Sequence, residues 1–91
     1  MDRQSILTAF PGNDAKTQCK RIEAALRHVG PLTTIEARKD LDVMMPATRV
    51  HELRHAHGLN IITTRVDRQT DAGHTHRVAV YTLHPGKWRK A

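Results

Sequence analysis

Cysteine is nearly absent from this chain of 91 residues. Cys19 stands alone, so neither an internal disulfide nor a cysteine-rich zinc site can form, and a reducing cytoplasmic setting is expected. Aromatic residues are almost as scarce. Phe10, Tyr81 and Trp88 are the only ones, too few for the stacking platforms of an RNA-recognition sheet or a single-strand-binding groove. Long apolar runs are missing too. The opening stretch, residues 1–11, carries Asp2 and Arg3 and no sustained hydrophobic segment, so neither a leader peptide nor a membrane span is expected there. Acid is in deficit, with 9 Asp and Glu against 15 Lys and Arg. The resulting net charge of +6 suits a polyanionic partner, and equally a merely soluble basic surface.

What remains is enough for one modest core: 38% of the residues are hydrophobic, and the length suits a single domain. Residues 1–13 read as a flexible arm ending in the turn cluster Pro11-Gly12-Asn13-Asp14, whose Asn13 or Asp14 can cap a helix. Over 15–29, Cys19, Ile22, Leu26 and Val29 recur at steps of three and four, while Lys16, Lys20, Arg21 and Arg27 lie elsewhere on the wheel, which predicts an amphipathic helix. Gly30-Pro31 stops it. Thr33 and Glu36 have capping-box spacing, predicting a short helix over 34–41 with Ile35 and Leu41 inward. Pro46 opens a third helix over 46–57, with Val50 and Leu53 inward and Gly58 at its C-terminal turn. The β-branched runs that follow predict strands near 60–66 and 77–83, joined by a polar mobile loop around Gly73. The expected core is Ile22, Leu26, Ile35, Val50, Leu53, Ile61 and Tyr81. The folded unit is expected over 14–84, and residues 85–91 read as a basic tail containing Lys87, Arg89 and Lys90.

Three helices followed by a two-stranded hairpin with a charged tip is the α+β order of a winged helix-turn-helix domain. From Leu32 to Leu83 the chain resembles the winged-helix family of small phage, prophage and proteobacterial proteins. The residues that carry this are Leu32-Thr33-Thr34-Ile35-Glu36-Ala37, then Met45-Pro46-Ala47-Thr48-Arg49-Val50-His51-Glu52-Leu53-Arg54, then Gly58 and Ile61. The resemblance covers somewhat over half the chain and implies binding to double-stranded DNA, without fixing a target. A transcriptional regulator or a phage accessory factor in a bacterial or phage-infected cytoplasm is the expected role. A winged-helix protein-interaction module without DNA binding is the alternative, and self-association as a homodimer is a weaker expectation.

His51-Glu52-Leu53-Arg54-His55 also matches H-E-x-x-H, in which two histidines one helical turn apart hold zinc and the glutamate acts as base. Gly58 even matches the glycine of the longer pattern, but Ile61 occupies the position of its last histidine. With no third ligand in a helical context, a zinc hydrolase is the least favoured reading. No metal and no cofactor is expected beyond adventitious contact at the histidine pair or at His74-x-His76.

With Val50 and Leu53 inward, a helical wheel puts Thr48, His51, Glu52 and His55 on the opposite face, as candidate base readers or as a solvated polar face. Arg49 and Arg54 flank that face for phosphates, although Arg49 could instead pair with Glu36 or Glu52. Thr34 sits at a helix start that favours a phosphate oxygen, and Thr33 is the cap. Arg65, Arg68, His74, His76 and Arg77 surround the hairpin tip and could lie on the backbone or in the minor groove. Trp88 could pack on the 15–29 helix or serve a partner surface.

Overall fold

In the computed structural model, which describes residues 1–89, the first element is a helix where an arm was expected: α1, Arg3–Ala9. Its start is capped by Asp2, whose carboxylate accepts from the Ser5 amide at 2.8 Å. A helix of seven residues does not hold alone in water. Two tertiary anchors hold this one: Ile6 is fully buried, and the Arg3 guanidinium reaches Glu36 at 2.8 Å and Asp40 at 3.2 Å.

The second helix, α2, Ala15–His28, is capped by Asp14, which accepts from the Thr17 amide and hydroxyl. Cys19, Ile22 and Leu26 are buried as expected, but Val29, just past the helix, is 42% exposed. Arg21, expected among the outer residues, is buried. Its guanidinium donates to the carbonyls of Phe10, Gly12 and Leu41, tying the α1–α2 connection and the end of the next helix to α2. A two-residue strand, β1, Leu32–Thr33, leads into α3, Thr34–Asp40, where the full capping box forms: Glu36 N donates to Thr33 Oγ1 at 3.0 Å and Thr33 N to Glu36 Oε1 at 2.9 Å. Ala37, Leu41 and Val43 supply the buried face here, whereas Ile35 is only half-buried, which corrects its expected place in the core. The helix α4, Pro46–His57, starts at its proline and ends on Gly58 with φ of 69°. Val50 and Leu53 are buried on it.

Strands β2, Leu59–Gln69, and β3, Thr75–Lys87, form an antiparallel hairpin, and β1 adds to the other edge of β3, giving the order β1-β3-β2. The strands outrun the expected 60–66 and 77–83. Their ladder continues through Asp67↔Arg77, Arg68↔His76 and Gln69↔Thr75, because backbone pairing needs no apolar side chains once the hairpin leaves the core. The expected mobile loop shrinks to a tight turn, in which Thr70 N donates to His74 O at 2.9 Å and Gly73 N to Thr70 O at 2.8 Å. The start of the expected tail is also structured. Pro85 and Gly86 lie in β3 beside a register shift between Leu59 and Ile61, Asn60 Nδ2 donates to Pro85 O at 2.9 Å, and Trp88 N donates to Gly58 O at 3.0 Å. Lys90, named with the basic tail, lies outside the described residues. Ile61, Ala79 and Tyr81 turn one face of the sheet onto the helices.

Candidate nucleic-acid interface

The face of α4 away from the core carries His51 and His55, both exposed, with Thr48 half-exposed one turn earlier. The two imidazoles lie 4.2 Å apart, centroid to centroid, as i, i+4 spacing on a helix dictates. Before α4, the turn exposes Met44 and Met45 at 57% and 64%, an apolar pair that sequence reasoning passed over. The adjacent Met-Met ahead of a helix-starting proline was its only signal.

Glu52 does not join this face. It turns toward α2, where it pairs with Arg49 at 2.9 Å and accepts from the Cys19 thiol at 3.3 Å. The wheel grouped it with His51 and His55, but those contacts aim its carboxylate at Arg49 and Cys19. Burial, followed by the hydrogen bond to Glu52 and its charge, pushes the Cys19 thiol up to about 11. Arg49 forms the ion pair with Glu52, one of the partners expected for it, and its side chain is 17% exposed.

Arg54, expected to flank the face for phosphates, is engaged within the protein. Its Nε donates to Ile61 O at 2.8 Å and its Nη2 to Thr63 Oγ1 at 2.6 Å, while the guanidinium lies 4.2 Å above the Trp88 ring. Burial lowers its pKa, with a smaller opposing contribution from Tyr81. Trp88 therefore packs on α4 and not on α2, with its ring 6.4 Å from that of His55.

On the hairpin, Arg65, Arg68, His74, His76 and Arg77 are all exposed. Thr34, Arg65, His76 and Arg77 are brought together in an open groove of about 470 Å³ between α3 and the hairpin, joined by Thr70 and Arg38. No carboxylate lines it. Arg38 was not anticipated, since the last turn of a short helix gives no sign that it faces a strand three dozen residues away. Its Nε holds Met44 O at 3.0 Å, which fixes the side chain at the groove. Arg68 and His74 lie outside this groove. Arg68 donates to its neighbour's carbonyl at 3.1 Å, and the His74 carbonyl closes the tip.

The element order, with α3 and α4 as a helix-turn-helix flanked by β1 and the β2–β3 wing, agrees with comparison to protein families. Residues 17–85 match the winged helix-turn-helix domain, and the chain belongs to that family. Comparison with curated proteins and with solved structures gives no significant match. The family suggests DNA binding in general, on a fold that is typically non-enzymatic. Among the described residues no helix is long and apolar enough to cross a membrane.

Proposed function

We propose that this chain is a sequence-specific double-stranded DNA-binding protein of the bacterial or phage-infected cytoplasm, a small transcriptional regulator or phage accessory factor. One observation carries the reading: a groove beside the wing is lined by three arginines, Arg38, Arg65 and Arg77, with no carboxylate among its lining residues, which suits a phosphate backbone. Thr48, His51 and His55 on α4 are the base-reading side chains, with hydroxyl and imidazole groups for base edges in the major groove. Arg68, His74 and His76 extend the positive strip to the wing tip.

A titration at several salt concentrations against random duplex and against duplex enriched by selection tests this. Arg65→Ala and Arg77→Ala weaken all duplexes alike and each flatten the log–log salt slope by about 0.9. Thr48→Ala and His55→Ala change the ranking of sequences, at about 1–3 kcal/mol per contacted base pair. If no duplex binds, the protein-interaction reading takes its place. Homodimer formation is supported by the sheet face opposite the core, where alternation sets half-buried Ile62, Val66, Val78 and Val80 side by side. Sedimentation equilibrium decides it, and a monomer at all concentrations removes the proposal.

A further inference from the structure

The histidine pair on α4 carries a second chemistry beside the base reading proposed for it. His51 and His55 are both exposed, one helical turn apart, with ring centroids 4.2 Å apart and planes tilted by 44°. Among the described residues, neither imidazole has a hydrogen-bond partner in the protein. The charged residues between them in sequence are committed elsewhere: Glu52 to Arg49 and Cys19, Arg54 to strand β2 and the Trp88 ring. Two neutral imidazoles at i, i+4 on a helix can direct ring nitrogens at one ion, the arrangement through which helices hold borderline divalent metals.

We propose that His51 and His55 form a chelating site for a divalent transition metal ion of the imidazole-preferring class, Cu²⁺ above Ni²⁺ and Zn²⁺, and that its occupancy excludes duplex DNA from the same face of α4. Among the described residues no cluster of three or more His, Cys, Asp or Glu exists, so two protein ligands hold the ion and water fills the other positions. This is therefore an exchangeable site and not a structural one. The antagonism rests on the reading of α4 as the DNA-contacting helix, since an ion on both imidazoles removes their hydrogen-bonding atoms from base edges and adds a hydrated shell between helix and groove.

Trp88 is the only tryptophan, and its ring lies 6.4 Å from that of His55, so it reports on the site directly. Copper(II) chloride titrated into the full-length protein should quench Trp88 fluorescence saturably at one ion per chain, and only a large excess of zinc chloride should reverse the quenching by competition. His51→Gln and His55→Gln, at exposed positions where circular dichroism confirms the fold, should each weaken copper binding at least about tenfold. His74→Gln with His76→Gln should leave it unchanged. Quenching that is linear, or that persists in the His51 and His55 variants, overturns the site. DNA affinity is then measured with and without zinc for each variant against its own metal-free value. A saturable loss in the wild type that vanishes in His51→Gln supports exclusion, and unchanged affinity at metal saturation overturns it. Absence of DNA binding even in metal-free protein refutes the DNA reading instead and leaves the copper titration standing.

Discussion

Arg54→Ala separates two roles that the same side chain could play. As a phosphate contact, Arg54 would add nothing to folding, and its loss would flatten the salt dependence of DNA binding. In the structure it instead bridges α4 to β2 through hydrogen bonds to Ile61 O and Thr63 Oγ1 and stacks on Trp88. A hydrogen bond from a charged donor contributes about 1.5–3 kcal/mol. Stacking of the cation on the indole adds about 0.5–1 kcal/mol at a partly exposed site. Thr63 is half-exposed, so water replaces the guanidinium there, whereas Ile61 is buried and its carbonyl loses its donor; the expected loss is about 2–4 kcal/mol. For a domain of this size that lowers Tm by about 10–20 °C. Arg54→Lys keeps the charge without the two-pronged geometry and should recover less than half of the loss. Thermal unfolding of the three proteins, paired with salt titrations at a temperature where all are folded, gives both readouts. An unchanged Tm together with a salt slope reduced by about 0.9 refutes the structural role and restores Arg54 to the phosphate backbone.

Ile6→Ala should cost about 2–4 kcal/mol in chemical denaturation, because the side chain is fully buried, whereas a free arm would show no change. Arg21→Met leaves the Phe10, Gly12 and Leu41 carbonyls without their donor and should cost about 3 kcal/mol or more; a stable variant would show that Arg21 is solvated. Cys19 should resist alkylation in native protein at pH 8 and react on unfolding, since burial and Glu52 raise its pKa from 9.0 to about 11. Below pH 9 folded and unfolded chains both keep the thiol proton; above it the unfolded chain ionises first, so stability falls as pH rises toward 11, and less so in Cys19→Ala.

Local chemistry made several elements legible before any coordinates. Pro46 and Gly58 bound α4, the Thr33–Glu36 capping box starts α3, and β-branched runs mark the hairpin, because each rests on backbone preferences that act over a few residues. The exposed positions of His51 and His55 followed from helical periodicity, and those of Arg65 and Arg77 from their place near the hairpin tip. Contacts between segments distant in the chain decided the rest. α1 has too few residues to be stable alone and exists through Ile6 and the Arg3 ion pairs to α3. Arg21, Glu52 and Arg54 sit on the flanks of their helices, where a long polar side chain meets either water or protein, and only the packing of α2, α4 and β2 selects protein. Arg38 joins the wing arginines for the same reason, since periodicity places a residue on one face of its own helix but cannot say which strand the fold brings opposite.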